Sequence, residues 1–412
     1  MALAATGVVI WDPSAGSNDN AGYFDASLAG AGTDYTAAQA TPILALTDLA
    51  CTAGSTTLTS ATGGFTAAMV GNGIYIVSGT NFTAGLYVIT GWTDTNTITL
   101  DRSPAPSSNG SSGVGNVAGR RAVFTDAFLE LSVAGMTHRA WATATMTLTQ
   151  NLSIAADGSA SGVITIEGRS STGAAEPAGD DRPLIAAGSY SLFGITPDYW
   201  IARDLRLTTE YSYGLCLGGY STIERCKSTA TGSSHHGLRV GNYSTIIGCE
   251  ASGSGNYSAG IYVNAQYITI YQCYLHDCGA SGVYAYNCNS LGFVECIIDT
   301  CVNGISLTAG YNNFYIVNNT IYGCTTGISG SGVAQVINNI IATCTTALSW
   351  NSQNYAAYYD YNDLYDCTTD RSNVAVGAHD FDADPLFTNA ANGDFSRTET
   401  DADGLGITLG VG

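Results

Sequence analysis

Charge, and positive charge above all, is scarce in this sequence of 412 residues. Only 11% of the residues are charged, and 13 Lys plus Arg stand against 33 Asp plus Glu, which gives a net charge of −20. Such a surface repels nucleic acid, anionic membranes and polyanionic glycans unless cations bridge them. We therefore expect no nucleic-acid partner.

Long apolar runs are also missing, so no segment is expected to insert in a membrane. The first residues, Met1 to Asp12, lack the basic start and the apolar core of a secretory signal. From this we expect a protein that folds in a host cytoplasm without a secretion signal.

The sequence has no C-x-x-C pair among its 12 cysteines and no Cys/His cluster with zinc spacing. No cofactor is expected. Helical periodicity of 3.6 residues is absent as well, and the apolar residues fall in short β-branched runs between Gly, Ser, Asn and Thr.

Internal repetition dominates the stretch from Gly214 to Cys367, with a period of about 22 residues. Each copy combines a Gly-aliphatic-x-aliphatic motif with a hydrophobic residue that is followed three positions later by Cys or Asn. The glycines are Gly214, Gly237, Gly260, Gly282, Gly304 and Gly327. The Cys/Asn positions are Cys226, Cys249, Cys273, Cys296, Asn319, Asn339 and Asn362.

A unit of this size cannot bury its own apolar face, but stacked units share one core. We therefore predict an all-β, right-handed parallel β-helix in which each repeat forms one coil. Equivalent residues should lie above one another in ladders. One inward column is Ile223, Ile246, Ile270, Phe293, Ile316 and Val336, and another is Leu275, Ile298, Ile321, Ile341 and Leu364.

The Ile-x-x-Asn-x-Ile…Gly-Ile pattern resembles the parallel β-helix repeats of pectate-lyase-like proteins and phage tailspikes. The resemblance covers roughly residues 182–367. The flanking stretches 179–185 and 382–395 resemble the flanks of β-helix proteins from phages and environmental bacteria. The resemblance implies the fold, whereas the architecture itself hosts lyases, hydrolases and inert adhesins.

Three domains are predicted. Residues 1–120 form a small antiparallel β barrel or sandwich for attachment or assembly, residues 121–370 form the β-helix, and the Asp-rich residues 371–412 close its C-terminal end. Residues 124–131 are the best helical candidate and would cap the open core.

The cysteines are predicted to be buried free thiols. Parallel neighbours in register keep their Cβ atoms near the coil spacing of about 4.8 Å, outside the usual disulfide range of about 3.5–4.5 Å. Free thiols fit a reducing cytoplasm. Cys288 lies off the ladders, in a turn, and is expected to be the most exposed thiol.

Candidate catalytic residues are few. Asp277 and Asp299 form a diagonal pair of acids, and His276 stacks over Asp299 as a possible base with its orienting carboxylate. A solvated surface acid and an ordinary surface hydrogen bond are the simpler readings. The lyase mechanism needs an acid cluster facing Arg or Lys, which the coils do not offer. Asp380, Asp382 and Asp384 resemble the start of a calcium loop, but Pro385 and Ala391 break that pattern.

Tyrosine is abundant, with 25 residues. Partly exposed rows of Tyr offer flat apolar faces and hydroxyls, which suit sugar rings and protein partners alike, and packing of turns is the alternative. The candidate glycan-binding residues are Tyr220, Tyr243, Tyr267, Tyr262, Tyr284 and Tyr286.

Outward positions beside the Cys/Asn ladder are apolar from the middle coils onward. Monomers rarely leave such a stripe exposed to water, so we expect association around a threefold axis; a terminal segment folding back over the stripe is the alternative. The stripe consists of Ile247, Tyr271, Val294, Val317, Ile337, Tyr274, Ile297 and Ile340.

The sequence thus favours a structural protein of a virus particle: a spike, fibre or decoration that forms a homotrimer, binds other virion proteins through its N-terminal domain and contacts cell-surface glycan. One alternative is a polysaccharide-degrading tailspike or a secreted lyase or hydrolase, so enzymatic activity is left open. Another is a bacterial adhesin or filament subunit.

Overall fold

The structure is a computed structural model that describes residues 3–25, 41–125, 129, 131–177, 181–190, 197–210, 213–308, 313–351 and 358–397. The predicted helix at 124–131 and the end of the Asp-rich tail lie largely outside the described residues. The described elements are strands and two short 3-10 helices, Ala67–Met69 and Ala390–Asn392. No helix in this part of the chain is long and apolar enough to cross a membrane.

The strands up to the first regular coil are β1 (Gly7–Trp11), β2 (Tyr23–Asp25), β3 (Leu44–Cys51), β4 (Thr57–Ser60), β5 (Gly73–Thr80), β6 (Gly85–Asp94), β7 (Thr97–Leu100), β8 (Gly110–Val117), β9 (Thr137–Trp141), β10 (Met146–Thr147), β11 (Ile164–Arg169), β12 (Leu184–Gly188), β13 (Trp200–Arg203), β14 (Arg206–Thr209) and β15 (Tyr213–Cys216).

The strands of the regular coils and the tail are β16 (Thr222–Glu224), β17 (Lys227–Ala230), β18 (His236–Arg239), β19 (Thr245–Ile247), β20 (Glu250–Gly253), β21 (Ala259–Val263), β22 (Ile268–Tyr271), β23 (Tyr274–His276), β24 (Ser281–Tyr286), β25 (Leu291–Val294), β26 (Ile297–Asp299), β27 (Asn303–Thr308), β28 (Phe314–Val317), β29 (Thr320–Tyr322), β30 (Thr326–Gly330), β31 (Ala334–Ile337), β32 (Ile340–Ala342), β33 (Thr346–Trp350), β34 (Tyr358–Asp360), β35 (Asp363–Tyr365), β36 (Thr369–Ser372), β37 (Phe387–Asn389) and β38 (Asp394–Arg397).

The chain forms two compact units. The first comprises the residues up to Leu148 together with Ile154–Ile185 and Arg203–Leu205. The second comprises Thr149–Ser153, Ala186–Ala202 and the chain from Arg206 onward.

The first unit contains a closed barrel of antiparallel strands in the order β3-β4-β7-β6-β5-β8, which confirms the predicted N-terminal barrel. Strands β1 and β2 lie outside the barrel sheet, because β1 pairs in parallel with β9, and β9 pairs in parallel with β11. The apolar side chains of the barrel, such as Leu49, Leu58 and Ile74, form one buried cluster. The predicted domain boundaries near residues 120 and 370 stay predictions.

The second unit is a parallel β-helix, as predicted. Each coil contributes one strand to each of three parallel sheets. Sheet I contains β16, β19, β22, β25, β28, β31 and β34; sheet II contains β14, β17, β20, β23, β26, β29, β32 and β35; sheet III contains β15, β18, β21, β24, β27, β30, β33 and β36.

The register confirms both inward columns. Ile223 pairs with Ile246, Ile246 with Ile270, and Ile270 with Phe293. The second column continues in the same way from Leu275 to Ile298. These side chains are fully buried, so the repeat period fixes the core.

The coils turn at corners where a single residue adopts left-handed backbone geometry. At the corner between sheets I and II this residue immediately precedes the Cys/Asn ladder, as Arg225 (φ 49°), Glu295 (φ 53°) and Asn338 (φ 55°) illustrate. Left-handed geometry is costly for residues with a Cβ atom and persists where the surroundings over-determine it. The bend turns the next side chain, a Cys or an Asn, into the core.

The described cysteines are all free and all buried except Cys367, which is half-buried; the thiol ladders are therefore confirmed. The expectation for Cys288 is wrong, since this thiol is only 1% exposed. Asn287 before it has φ 51° and turns the thiol inward. Burial raises the pKa of Cys288 to about 11.

The asparagine part of the ladder is a chain of amide hydrogen bonds. Asn319 Nδ2 donates to Asn339 Oδ1 at 2.9 Å, and Asn339 Nδ2 donates to Asn362 Oδ1 at 3.0 Å. Each amide also donates to a buried carbonyl, for example Asn339 to Ile316 O at 2.9 Å. Asp380 ends the chain, because its Oδ1 accepts from Asn362 N at 2.8 Å and from Asn362 Nδ2 at 3.1 Å.

Replacing the central amide should therefore destabilise the β-helix. Asn339→Ala removes the acceptor of Asn319 N and Nδ2 and the donor to the buried carbonyl of Ile316. A buried group left without its partner costs roughly 1–3 kcal/mol, so we expect a loss of at least about 2 kcal/mol in the free energy of unfolding, measured by urea titration. Asn339→Cys is the matched control, because earlier coils carry Cys at this corner, and it should cost less. Equal midpoints for wild type and Asn339→Ala would contradict a stabilising ladder.

Candidate functional site

Aromatic side chains line the outer face of sheet III. The rings of Tyr213 and His236 are 5.6 Å apart, those of His236 and Tyr262 are 4.7 Å apart, and those of Tyr262 and Tyr284 are 5.8 Å apart. The guanidinium of Arg239 lies 4.9 Å from the Tyr213 ring and 5.7 Å from the Tyr262 ring. We call these five residues the sheet III row. Parallel register places Tyr213, His236, Tyr262 and Tyr284 on four successive coils, and Arg239 lies on the same strand as His236.

His236 is a neutral donor within the row. Ala259 N donates to His236 Nδ1 at 3.0 Å, so the ring proton lies on Nε2. Burial, together with the charges of His235 and Arg239, lowers the pKa of His236 to about 4. At neutral pH the row therefore combines a fixed cation, a neutral imidazole N–H and tyrosine hydroxyls.

A groove with a volume of about 270 Å³ lies at the corner between sheets III and I. Its walls are polar and contain several glycines. They include Asp198, Gly219, Tyr220, Asn242, Tyr243 and Asn264. Asn264 lies two residues after Tyr262, just beyond the end of β21, so the groove adjoins the sheet III row.

Tyr199, Tyr220, Tyr243 and Tyr267 form a second row at this corner. Their rings stack almost in parallel, with centroid distances of 4.8, 5.1 and 4.7 Å. All four have left-handed backbone geometry, with φ between 55° and 60°. Ring stacking of this kind contributes about 0.5–1.5 kcal/mol per pair and offsets part of the backbone strain.

This geometry corrects the interpretation of Tyr220 and Tyr243. Their ring faces are covered by one another, so the row presents ring edges and hydroxyls to solvent rather than flat faces. In sheet III, Tyr262 and Tyr284 are half-buried and the Tyr262 ring stacks on His236, so Tyr286 has the most exposed ring of that face. That these tyrosines bind glycan stays a prediction.

The acids of sheet II form a different arrangement from the expected one. His276 Nε2 donates to Glu250 Oε1 at 3.1 Å and His276 Nδ1 donates to Asp277 Oδ2 at 2.8 Å. Lys227 Nζ lies 2.7 Å from the same Glu250 oxygen. His276 is in register with Asp299, as predicted, but its two N–H groups go to the other carboxylates, so no His276–Asp299 hydrogen bond forms. That Asp277, His276 and Asp299 are catalytic stays a prediction.

The local environments shift the pKa values of Glu250 and Asp299 in opposite directions. The hydrogen bond from His276 is the main cause that lowers the pKa of Glu250 to about 2, and the same bond raises the pKa of His276. Burial raises the pKa of Asp299, whose carboxylate is 3.4 Å from the Tyr274 hydroxyl. Asp277 is largely exposed, with 71% of its side chain accessible. The contacts of Glu250 with His276 and of Tyr274 with Asp299 escaped the sequence reasoning, because they run diagonally between coils and leave no mark on the repeat.

The C-terminal hairpin β37–β38 covers this part of sheet II. Phe387 and Phe395 pack edge-on against Tyr322, with centroid distances of 6.3 and 5.6 Å. A Cβ at Gly393, which has φ 78°, would lie 3.0 Å from the Tyr274 hydroxyl. The hairpin therefore fits closely over the face that carries Tyr274 and Tyr322.

This cover corrects part of the predicted oligomer stripe. Ile297 and Ile340 are only 6% exposed, since they share this face with the covered tyrosines. The remaining residues of sheet I are half-buried and stay available. We call them the sheet I stripe: Ile247, Tyr271, Val294, Val317 and Ile337.

Two of the three aspartates that resemble a calcium loop, Asp380 and Asp384, make other contacts. Asp380 ends the asparagine ladder, and its Oδ2 pairs with Arg371 Nη2 at 2.8 Å. Asp384 accepts from Leu386 N in its own turn at 2.9 Å. Across the described residues no group of three or more His, Cys, Asp or Glu side chains could hold a metal ion, so the proposed loop of Asp380, Asp382 and Asp384 is not assembled there.

Comparisons with known proteins agree on the architecture. A family model described as a right-handed beta helix region matches residues 195–341. No curated protein matches the chain.

Solved structures with similar topology are distant. Pectate lyase Pel9A has 14% identity and a TM-score of 0.43, with 72% of this chain and 85% of that chain covered. The catalytic domain of Agl-KA has 10% identity and a TM-score of 0.32, covering 84% and 88%. The tailspike protein gp49 from Pseudomonas phage LKA1 has 11% identity and a TM-score of 0.26, covering 84% and 65%. None of them assigns an activity to this chain.

The parallel register of three sheets, the two inward columns and the family match at residues 195–341 show that the second unit has a right-handed parallel β-helix fold.

Proposed function

We propose that this chain is a structural spike, fibre or decoration protein of a virus particle, and that its β-helix binds surface polysaccharide. The barrel of the first unit would attach it to other particle proteins. The resemblance of its flanks to β-helix proteins from phages supports this location, and mass spectrometry of purified particles would test it.

The sheet III row is the observation that carries the polysaccharide part of the proposal. Tyr262 and Tyr284 offer half-exposed rings, which bind apolar sugar faces, while their hydroxyls, Arg239 and His236 Nε2 provide hydrogen bonds. Because parallel pairing fixes the side chains before binding, little conformational entropy is lost. The groove next to Asn264 extends the same surface.

Truncating the row should weaken binding. Tyr262→Ala removes the central ring, and Arg239→Gln removes the cation above it, so each should lower affinity for a bound oligosaccharide at least tenfold, about 1.4 kcal/mol. A glycan array identifies the ligand and calorimetry on the full chain measures its affinity.

Tyr315→Ala is the matched control, because Tyr315 is an exposed tyrosine of sheet I and lies outside the row. Equal affinities for wild type, Tyr262→Ala and Arg239→Gln would rule out the sheet III row as the binding surface.

The sheet I stripe supports threefold association as a further part of the proposal. Five half-buried apolar side chains follow one another on successive coils, and burying them against copies of the chain removes them from water. Val294→Lys places a charge in the middle of the stripe and should convert a trimer to a monomer in light scattering. Val302→Lys, at an exposed valine outside the stripe, should leave the trimer intact. A monomeric wild type at micromolar concentration would argue against the association.

Polysaccharide hydrolysis is the second candidate, favoured by the opposite pKa shifts of Glu250 and Asp299. Two carboxyl groups on one face whose pKa values are shifted in opposite directions suit a general base and a general acid. Glu250 lies two coils from Asp299 and two residues out of register with it, a backbone separation of roughly 12 Å by strand spacing and rise, which is wider than the separation of about 6.5–9.5 Å between the carboxyl groups of inverting enzymes. The hairpin cover over Asp299, which is 8% exposed, places this reading second.

Hydrolysis predicts a definite pH dependence. Asp299 must be protonated and Glu250 ionised. Since the pKa of Asp299 is raised and that of Glu250 is about 2, the rate should be highest under acidic conditions and fall as the pH rises. Asp299→Asn should abolish reducing-sugar release, whereas Asp370→Asn, at a surface acid of β36, should not. Absence of release from any polysaccharide bound by the chain would remove this candidate.

A further inference from the structure

Three arginine side chains of the first unit converge on one buried carboxylate. Arg139 Nε donates to Glu167 Oε1 at 3.0 Å, and Arg203 donates to Glu167 Oε2 through Nη2 at 2.5 Å and through Nε at 3.2 Å. Arg169 Nη2 donates to Glu167 Oε1 as well. The Glu167 side chain is only 5% exposed.

The fold brings these groups together from strands far apart in sequence. Arg139 on β9 is the register partner of Glu167 on β11, and Arg169 lies two residues further along β11, on the same face. Gly168 lies between the two. A Cβ at this position would be 1.8 Å from Asp204 O, so only glycine lets the segment carrying Arg203 approach Glu167.

The cluster carries more positive charge than its carboxylate neutralises. Arginine is always protonated at physiological pH. Burial opposes ionisation of Glu167, but its hydrogen bonds to the arginines prevail and lower the pKa of the carboxyl, so it is ionised. Three cations therefore face one anion, a local charge of about +2, in a chain with net charge −20.

The N–H donors of the three arginines also outnumber the acceptor oxygens of Glu167. Within the described residues, the three guanidinium groups have no other hydrogen-bond acceptor than Glu167. Arg169 Nε is buried and has no partner there. The side chains of Arg139 and Arg203 remain 31% and 38% exposed, so their free N–H groups reach solvent. Closely spaced cations repel each other, and unused donors on a partly buried cluster favour an added anion.

We propose that Arg139, Arg169 and Arg203 form a binding site for an oxyanion, a carboxylate, sulfate or phosphate group, that bridges Arg139 and Arg203 on the solvent side of Glu167. Planar guanidinium groups bind such oxygens through paired hydrogen bonds. The group is either a free anion or a substituent of an acidic polysaccharide. The site is carried by residues that the proposed sheet III surface does not use.

Anion binding is tested on the full chain by thermal unfolding and calorimetry. The probes are sodium sulfate, inorganic phosphate, a galacturonate trisaccharide and a neutral glucose trisaccharide, with potassium chloride at equal ionic strength as the baseline. We expect sulfate or the galacturonate to raise the unfolding temperature above the chloride baseline, and the neutral sugar to leave it unchanged. Stronger binding of the trisaccharide than of sulfate assigns the site to polysaccharide, and the reverse assigns it to a free anion.

Removing the arginines should weaken anion binding, whereas removing the charge of Glu167 should strengthen it. Arg139→Gln with Arg203→Gln should weaken anion binding at least tenfold. Glu167→Gln removes the competing carboxylate, so the gain in unfolding temperature with sulfate should be larger than in wild type even where the variant itself is less stable. Arg102→Gln, an arginine of similar exposure paired with Asp101, is the matched control and should bind like wild type. The proposal is overturned when no probe exceeds the chloride baseline, or when all four proteins respond equally.

Discussion

In-register stacking of identical side chains is the constraint on which the second unit depends. Each coil offers its backbone hydrogen bonds to the next, and the amide or thiol at each corner meets its counterpart one strand spacing away. The amides of Asn319, Asn339 and Asn362 satisfy each other and the carbonyls that the corners leave unpaired. A buried amide chain of this kind must end on an acceptor, and Asp380 supplies it. The tail after the last coil is thus part of the ladder.

The same register aligns the outward side chains in columns, but the residue types in these columns differ from sheet to sheet. Inward positions are fixed by packing, whereas outward positions are free to vary between sheets. Sheet III therefore carries rings with Arg239, sheet II carries a network of charges around His276, and sheet I carries apolar side chains. Where equal residues follow each other at left-handed corners, as with Tyr220 and Tyr243, they stack on one another and their faces are lost to a ligand. His236 and Tyr262 stack as well, but the imidazole Nε2–H and the guanidinium of Arg239 add polar donors that the tyrosine row lacks.

The sequence predicts those features of the fold that follow directly from the repeat period. The spacing of Ile246 and Ile270 is enough to derive the coils, the inward columns and the free thiols, because each depends only on the repeat. It could not predict the burial of Cys288, since a single left-handed residue before it reverses the direction of the side chain. The contacts of Glu250 with His276 also escaped, because they run diagonally between coils, and so did the hairpin, which reaches sheet II from outside the repeat.

The hairpin explains why the apolar outward residues are buried on sheet II but only half-buried on sheet I. Ile297 and Ile340 lie on the face where Phe387 and Phe395 supply an apolar cover from the same chain, so their burial needs no partner. Val294 and Val317 lie on sheet I, one corner away, and stay half-buried. The tail buries the apolar face of sheet II within the chain, whereas the apolar face of sheet I stays accessible. Folding therefore uses one face, and contact with another copy would use the other. Association through sheet I therefore remains compatible with a fully folded single chain, because the groups that complete the core, the ladder and the hairpin all come from within it.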